Sequence, residues 1–296
     1  MNCLKCLLKI NDLPHYGLHS ECFIQWFKIP VIAEFLGLQR RSSTTTDRIE
    51  AINTSFFHGK FKKYSAHLNG ESYILKMRQE DAPELPEVEY LCNQISQLLG
   101  LPVAEFYFID FHGDKTFVTK NFVQGGSLAD LQHIYHFNKD NEYSCENIIN
   151  IISQKTQRPH EVKIFIKTIL VDALIGNHDR HGRNLGLIVT VNNISLAPIY
   201  DNVSYLSLEQ GNMLKANFNP TGKISTSDTY EPSMRDYVKE LIRLSYQDEV
   251  YEFYRSINPT KLHQLIDKSF CSPLMKIAIK TLVENRLEEL KNEIQP

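Results

Sequence analysis

The sequence lacks a strong excess of charge of either sign. Its 296 residues include 32 lysines and arginines against 35 aspartates and glutamates, which gives a net charge of −3. This balance argues against the broad basic surface that binds DNA or RNA, so we expect no direct contact with nucleic acid. A small basic patch at Lys60, Lys62 and Lys63 suits a phosphate-bearing ligand better than a polynucleotide.

Long hydrophobic runs are also absent. The longest apolar stretch, residues 164–175, is interrupted by Lys167 and Asp172 and is too short to span a bilayer. The N-terminus carries lysines within its short apolar run and no small-residue cleavage site, which is not the pattern of a signal peptide. We therefore expect a cytoplasmic protein without membrane contact.

Cysteine is sparse and unevenly distributed. Only six cysteines in a chain without secretory features favour free thiols or a metal site over a disulfide framework. Cys92, Cys145 and Cys271 are scattered, and we interpret them as ordinary core residues. The other three lie in residues 1–37 together with the single tryptophan, so we treat this segment as a separate N-terminal appendage.

Four residues of the appendage form two pairs of a kind that binds zinc. Cys3 and Cys6 are separated by two residues, and so are His19 and Cys22. Two such pairs joined by a loop suit a tetrahedral zinc ion. The alternative is that small buried thiols fill gaps in a small apolar core around Phe23.

Strand patterns dominate the chain up to residue 122. Residues 64–68 and 72–77 predict two strands joined at Asn69-Gly70, a pair typical of a tight hairpin turn. Pro86 opens an amphipathic helical pattern that ends at Gly100. Two further strands are predicted over residues 103–109 and 116–122.

The remainder is mostly helical, with one β interruption. Residues 185–191 and 194–200 predict a hairpin, and several amphipathic helices follow from Pro232 onward. We therefore predict an α+β protein of two lobes. A small β-rich N-lobe covers residues 38–122, and a larger helical C-lobe covers residues 123–296.

Three polar residues after the buried helix suit phosphoryl transfer. Asp179 precedes Asn184 by five residues, and Asp201 follows the predicted hairpin. Asp179 can orient an acceptor hydroxyl, while Asn184 and Asp201 offer the oxygen ligands that magnesium prefers. Arg180, together with His181 and Arg183, is expected to meet phosphate charge. The alternative is a surface loop in which these polar side chains only cap turns.

Lys76 ends an otherwise apolar strand, in the position where kinases place the lysine that contacts ATP phosphates. Its expected partner is Glu89 in the first turn of the following helix, with Glu87 as the alternative. A solvated lysine and glutamates that favour the helix dipole are the plainer interpretation.

The segment before the first strand is a candidate phosphate-binding loop. Its sequence, His58-Gly59-Lys60-Phe61-Lys62-Lys63, has one glycine and three lysines instead of a glycine-rich turn. Lysine charge and exposed backbone amides can hold phosphates, but a solvated basic loop fits the same residues.

These motifs together resemble the HipA-like serine/threonine kinases of bacterial toxin–antitoxin systems, from about Arg40 to the C-terminus. The segments that carry the resemblance are Leu85-Pro86-Glu87-Val88-Glu89-Tyr90, Gly100-Leu101-Pro102-Val103, Gly176-Asn177-His178-Asp179-Arg180-His181-Gly182-Arg183-Asn184 and Ala197-Pro198-Ile199-Tyr200-Asp201. The Asp-Arg-His core is also similar to that of phosphatidylinositol-type lipid kinases. The resemblance implies a two-lobed protein-kinase-like fold that uses ATP and magnesium.

Residue roles follow from the resemblance. Asp179 is then the catalytic base, Asn184 and Asp201 bind magnesium, and Lys76 binds the ATP phosphates. The residues expected beside the nucleotide are His181, Tyr200 and a hinge over residues 120–126 that includes Asn121, Phe122 and Val123.

The resemblance also implies partners. The chain lacks the additional N-terminal domain of full-length HipA toxins and looks like the shortened HipT type. Such toxins are restrained by a DNA-binding HipB-type antitoxin and sometimes a HipS-type small protein, and they phosphorylate an aminoacyl-tRNA synthetase.

The phosphate loop departs from the Ser-Gly-x-Gln-x-Lys pattern usual in this family. Relatives autophosphorylate a serine near that loop, and this chain offers Ser42, Ser43, Thr54 and Ser55, of which we favour Ser55. The alternative is that these hydroxyl residues only keep a linker soluble.

Two other functions fit parts of the pattern. The first is a lipid or small-molecule kinase on a related fold, of which the lipid kinase is disfavoured by the lack of a basic or apolar membrane-facing segment. A non-catalytic pseudokinase is disfavoured because Asp179, Asn184 and Asp201 are all present.

Overall fold

The computed structural model describes residues 1–41, 63–123, 129–138, 143–209, 211–216 and 222–294. The helices within these ranges are α1 (Ser20–Phe27), α2 (Leu85–Leu98), α3 (Cys145–Thr156), α4 (Pro159–Ile175), α5 (Met234–Arg243), α6 (Gln247–Ser256), α7 (Pro259–Lys268) and α8 (Pro273–Ile294). The strands are β1 (Leu36–Arg41), β2 (Lys63–Leu68), β3 (Glu71–Met77), β4 (Phe106–Phe111), β5 (Asp114–Lys120), β6 (Asp130–His133), β7 (Gly186–Val189) and β8 (Ile194–Leu196).

A five-stranded antiparallel sheet in the order β1-β2-β3-β5-β4 forms the N-lobe. The predicted turn at Asn69-Gly70 is confirmed, since both residues have positive φ, at 50° and 83°. Such a turn needs two left-handed residues, and asparagine and glycine adopt that conformation most readily. The turn fixes the register of β2 against β3 and thereby the neighbours of Lys76.

The strand predicted over residues 103–109 begins later, at Phe106. Val103 instead forms an isolated parallel bridge with Ile199 of the C-lobe. The Ile199 N–H donates to the Pro102 carbonyl at 2.8 Å, and the Ala104 N–H donates back to Ile199 at 3.1 Å. The same pairing ends β8 early, at Leu196, because residue 199 is engaged across the lobes.

The two faces of the large sheet have different coverings. Lys76 and Phe108 point to the face on which α2 packs, and Tyr90 of α2 lies 5.2 Å from the Phe108 ring. Because side chains alternate along a strand, Tyr73 and Tyr107 point to the opposite face.

That opposite face is covered by the N-terminal segment. The Phe27 ring of α1 lies 4.4 Å from Tyr107 and 5.7 Å from Tyr73, and Tyr16 stacks on Phe111 at 5.6 Å. Burying an aromatic side chain of this kind contributes about 1.5–3 kcal/mol. The segment treated as a separate appendage therefore shares one apolar core with the sheet. The predicted boundary after residue 37 falls inside β1.

The C-lobe is built around α4 and α8, which contact each other in its apolar core. A three-stranded sheet in the order β6-β7-β8 lies beside them. Its first strand, β6, was not expected from the sequence, whereas the hairpin of β7 and β8 was. None of the helices in the described parts of the chain is both long and apolar enough to cross a membrane.

Helix α4 ends at Gly176, where φ is 69°. A Cβ atom at this position would lie 2.9 Å from side-chain atoms of Leu282 and Tyr205, so only glycine fits without displacement. The chain turns there into the loop that carries Asp179.

Candidate active site

Four charged side chains meet between the lobes, of which three are buried and the fourth, Asp201, is 17% exposed. The Lys76 ammonium group on β3 contacts a Glu89 oxygen of α2 at 2.5 Å and Asp201 Oδ1 at 2.7 Å. The Lys63 ammonium group at the start of β2 lies 2.6 Å from Asp201 Oδ2. Tyr64 pairs with Leu75 across β2 and β3, so Lys63 and Lys76 emerge side by side on one face of the sheet.

The cluster is balanced, with two ammonium groups and two carboxylates. Burial alone would raise the pKa of Asp201, but the charges and hydrogen bonds of Lys63 and Lys76 outweigh it and hold the pKa well below its usual range. Burial lowers the pKa of Lys63, although Asp201 opposes this. Burial raises the pKa of Glu89 despite its contact with Lys76. Asp201 is therefore the firmly ionised member of the cluster.

Glu87, the alternative partner of Lys76, lies elsewhere. Its carboxylate accepts from Arg78 Nε at 2.9 Å at the edge of the lobe. Positions 87 and 89 point to different sides of α2, because residues two apart on a helix do not share a face.

The loop after α4 brings Asp179 and Asn184 together. The Asn184 side-chain amide donates to the Asp179 carbonyl at 2.7 Å and to its carboxylate at 3.3 Å. The other amide atom, Asn184 Oδ1, is buried and has no hydrogen-bond partner among the described residues. The Asp179 side chain is 42% exposed, and His181 Nε2 lies 3.6 Å from it. The loop thus combines a reachable carboxylate with a buried oxygen able to ligate a cation.

The sequence-based expectation that Arg180 meets phosphate charge is wrong. Arg180 is 2% exposed, and its guanidinium forms two hydrogen bonds with the Asp172 carboxylate, at 2.8 and 2.9 Å. It also donates to the backbone carbonyls of Asn184 at 2.9 Å and Tyr200 at 2.8 Å. The Arg180 guanidinium therefore lies inside the C-lobe. Its hydrogen bonds hold together α4, the loop after it and the segment before Asp201.

Sequence reasoning missed two residues of this network. In the sequence, Asp172 interrupts an otherwise apolar helix. This interruption could have indicated a buried ion pair, because a buried charge requires a partner. Asn202 follows Asp201 and donates to the Ser96 hydroxyl at 2.8 Å and to the Cys92 carbonyl at 3.2 Å. It ties the Asp201 segment to α2, and nothing in its local sequence indicates this.

The proposed nucleotide-base region is an apolar cluster that joins the lobes. It consists of Ile74, Val123, Leu131, Ala197 and Tyr200, with Phe122 packed against it. The Asn121 N–H donates to the Ser72 carbonyl at 2.9 Å, and the Asn121 side chain accepts from the Val123 N–H at 3.0 Å.

Tyr200 lies at the C-lobe side of this cluster. Its ring is 5.8 Å from Phe122, and its hydroxyl donates to the Arg183 carbonyl at 3.2 Å. Burial raises the pKa of Tyr200 well above its ordinary value, so the phenol stays neutral. Apolar walls with a few fixed polar groups are typical of small-molecule sites.

Several candidate residues lie outside the described residues. They are His58, Gly59 and Lys60 of the proposed phosphate loop and the proposed phosphorylation sites Ser42, Ser43, Thr54 and Ser55. Lys63, which the sequence placed in that loop, instead begins β2 and is buried.

The N-terminal cysteines and histidine form a second, distant cluster. One ligand atom from each of Cys3, Cys6, His19 and Cys22 lies within 4.8 Å of the others. Burial raises the pKa of the Cys3 thiol, but backbone hydrogen bonds from Cys6, His19 and Lys5 outweigh it and lower the pKa to about 6.

His178 lies beside Asp179 but points into the C-lobe. Its ring stacks on Tyr205 at 4.5 Å with an interplanar angle of 2°. Its Nε2 atom is buried and lacks a hydrogen-bond partner within the described ranges. Burial, with a smaller effect of Arg286 and Lys223, lowers the pKa of His178 to about 4. His178 is therefore a neutral packing residue.

Comparison with known proteins identifies the family of the chain. Residues 44–262 match the family model described as "HipA-like C-terminal domain". The chain is 24% identical over 263 residues to the serine/threonine-protein kinase CtkA of Helicobacter pylori, which covers 78% of this chain and 80% of that protein. It is also 24% identical over 213 residues to Y4dM of Sinorhizobium fredii, a protein named as a candidate kinase. That match covers 64% of this chain and 52% of Y4dM, so the chain spans about half the length of that relative.

Solved structures show the fold. The crystal structure of the H. pylori proinflammatory kinase CtkA superposes with a TM-score of 0.65 at 20% identity, covering 78% of this chain and 92% of that one. HipA of Shewanella oneidensis, solved with HipB and operator DNA, gives 0.57 at 15% identity, covering 93% and 71%. The predicted two-lobed, kinase-like α+β fold is therefore confirmed.

We predict that His178 makes the protein less stable in mild acid. The unfolded chain protonates histidine near pH 6.5 and the folded chain only near pH 4, so the free energy of unfolding falls as the pH drops through that window. Allowing for partial solvent screening, His178→Phe should reduce the loss between pH 7 and pH 5 by about 1 kcal/mol. Urea unfolding at both pH values measures it.

The control is His160→Gln, which removes an exposed histidine of α4 and measures how much of the change comes from the loss of any histidine. Equal pH dependence in the His178→Phe variant and the unsubstituted protein would contradict the assignment.

Proposed function

Since the chain belongs to the HipA-like C-terminal domain family, we propose that it is a serine/threonine kinase that transfers the γ-phosphate of ATP to a protein hydroxyl. One observation carries the proposal: Lys76 is buried between Glu89 and Asp201, and Arg180 ties the residue before Asp201 to Asn184. The Asn184 amide oxygen is buried without a hydrogen-bond partner among the described residues. Kinases need this set of a phosphate-binding lysine and oxygen ligands for magnesium.

The residues fit a magnesium ion held with the triphosphate. Asn184 Oδ1 is a buried acceptor without a partner in the described chain, and Asp201 is held ionised. Oxygen donors of these two kinds are what magnesium prefers. When bound, the ion supplies positive charge against the phosphate oxygens. Asn184 and Asp201 are the proposed ligands.

Asp201 is expected to rearrange for this role. One of its oxygens accepts from Lys63 and the other from Lys76. Each oxygen has a second lone pair for a cation, but the added positive charge would repel both ammonium groups and favour the opening of one ion pair. The released ammonium group is then free to pair with a phosphate, which keeps the buried charges balanced.

Asp179 is the proposed residue for the acceptor hydroxyl. Its carboxylate is half-exposed and steadied by the Asn184 amide, so a protein serine or threonine can approach it. A carboxylate in this position orients the hydroxyl and accepts its proton. His181 Nε2 lies 3.6 Å from the same carboxylate.

The adenine is proposed to lie against the interlobe apolar cluster. Ile74 from the N-lobe and Tyr200 from the C-lobe belong to that cluster, and Val123 at the hinge closes it. Lys76 follows Ile74 on β3 by two positions, which supports a base beside Ile74 and phosphates beside Lys76.

A cellular role as a toxin of a toxin–antitoxin system is the further part of the proposal. Its support is family membership and the HipA structure solved with HipB and operator DNA. That role implies three partners in the cytoplasm: a HipB-type antitoxin, a HipS-type small protein and an aminoacyl-tRNA synthetase as substrate.

Copurification of the tagged chain from its host, with and without the neighbouring genes, tests whether an antitoxin binds. Absence of any DNA-binding partner contradicts the antitoxin proposal.

We predict that Asp179→Asn removes phosphate transfer but not ATP binding. The amide keeps the shape of the side chain and cannot accept a proton, so labelling should fall about 10²–10⁴-fold. Radiolabelled ATP with a whole-cell lysate measures transfer, and calorimetry measures binding.

The matched control is Asp228→Asn, because Asp228 is exposed in a C-lobe turn. This variant should transfer phosphate as the unsubstituted protein does. Undiminished labelling by Asp179→Asn rejects the role of Asp179. If the unsubstituted protein labels no protein at all, the kinase proposal itself fails.

We also predict self-phosphorylation between Arg40 and Lys63, with Ser55 favoured. Incubation with ATP and magnesium followed by phosphopeptide mapping should find the phosphate there. Lys76→Met removes the proposed phosphate-binding charge and should abolish the signal. Phosphate only outside this segment, or equal phosphate in the Lys76→Met variant, counts against it.

A further inference from the structure

We propose that the N-terminal segment is a zinc-binding cap held by Cys3, Cys6, His19 and Cys22. The zinc ion fastens residues 1–35 onto the outer face of the N-lobe sheet. The inference is independent of phosphoryl transfer, because the four residues belong to the segment that covers the face opposite Lys76.

Distances within the cluster match tetrahedral zinc. Zinc lies about 2.3 Å from a thiolate sulfur and about 2.0–2.1 Å from a histidine nitrogen, so a tetrahedron separates nitrogen from sulfur by about 3.6 Å. His19 Nδ1 lies 3.4 Å from Cys6 Sγ and 3.8 Å from Cys22 Sγ. With Cys3, all four ligand atoms lie within 4.8 Å of one another. A set of one nitrogen and three sulfurs favours zinc over magnesium or calcium.

The histidine is held in the form that binds a metal. His19 Nε2 lies 3.1 Å from the Lys9 carbonyl oxygen. A carbonyl oxygen only accepts, so the hydrogen resides on Nε2 and the lone pair on Nδ1 faces the cysteines. Ligating histidines are typically oriented by such a second hydrogen bond.

The first cysteine pair lies on a tight turn. The Cys3 N–H donates to the Leu8 carbonyl at 2.8 Å, and the Leu7 N–H donates to the Cys3 carbonyl at 2.9 Å. Leu7, directly after Cys6, has a φ of 64°, a conformation that leucine rarely adopts. Such strain persists where the surrounding structure requires it.

The second pair lies at the start of α1. His19 is the N-cap residue and Cys22 is in the first turn. The helix has 8 residues and no side-chain hydrogen bond at its N-cap, so it is too short to be stable alone. Its Phe27 packs on Tyr107 of the sheet. A metal that joins this helix start to the Cys3–Cys6 turn therefore holds the apolar face of α1 in place.

The coordination is closed, because four protein ligands complete a tetrahedron. Structural zinc sites have this property, whereas catalytic sites keep a position for water. We accordingly assign the ion a folding role. Loss of zinc should release α1 and expose the ring face around Tyr73 and Tyr107.

Metal analysis of the full chain tests the proposal. Protein purified without chelators should contain about one equivalent of zinc, and Cys6→Ser and His19→Ala should each lower this to below about a tenth. His19→Cys should restore it, because four thiolates also bind zinc. The controls Cys145→Ala and His160→Ala lie away from the cluster and should keep the metal.

A second measurement works on the unsubstituted protein, in case the variants do not fold. Trp26, the only tryptophan of the chain, lies on α1 with its ring 5.8 Å from Tyr107. Removing zinc with a strong chelator should shift its fluorescence toward that of a solvated indole, and added zinc should reverse the shift. Cobalt in place of zinc should give the visible absorption of a tetrahedral thiolate site.

The proposal is overturned by less than about a tenth of an equivalent of zinc in protein purified without chelators. Retention of zinc by Cys6→Ser, or a metal other than zinc in the folded protein, also overturns it. Unchanged Trp26 fluorescence after complete removal of zinc rejects the folding role.

Discussion

Burial of the Arg180 guanidinium is the constraint on which the geometry of the candidate active site depends. An arginine removed from water is tolerated only when its donors find acceptors. The carboxylate of Asp172 and the carbonyls of Asn184 and Tyr200 provide them. These acceptors come from α4, from the loop after it and from the segment that ends at Asp201. One side chain thereby fixes the relative position of all three, and breaking its pair with Asp172 should destabilise the protein by about 3–5 kcal/mol.

A second set of charges joins this frame to the N-lobe. Lys76 and Lys63 reach Asp201 from adjacent strands, and Glu89 holds Lys76 from α2. The four groups balance in charge, which makes their shared burial tolerable. A cation added at Asp201 would disturb this balance, which favours the release of a lysine. In the proposed function, nucleotide and metal binding are therefore linked to a local rearrangement at the lobe interface.

Local patterns predicted much of the fold. The Asn69-Gly70 turn, the helix from Pro86 to Gly100 and the spacing of Asp179 and Asn184 all depend on neighbours within a few positions. Other features depend on distant ones. The pairing of Val103 with Ile199 and of Lys63 with Asp201 joins residues far apart in the chain, and no local pattern indicates it. Arg180 was misassigned because charge in a loop sequence does not reveal which side of the loop faces the interior. The N-terminal segment shows the same limit. Its cysteine spacing is readable from the sequence, but its packing on the sheet is not.

The most direct test of the account is a crystal structure of the protein with magnesium and a non-hydrolysable ATP analogue. We predict a metal ion about 2.0–2.1 Å from Asn184 Oδ1 and from an Asp201 oxygen, with Lys63 or Lys76 moved from Asp201 to a phosphate. The Asp179 carboxylate should face the terminal phosphate. A nucleotide bound elsewhere, with the ion pairs of Asp201 intact and Asn184 Oδ1 still without a ligand, would contradict the account.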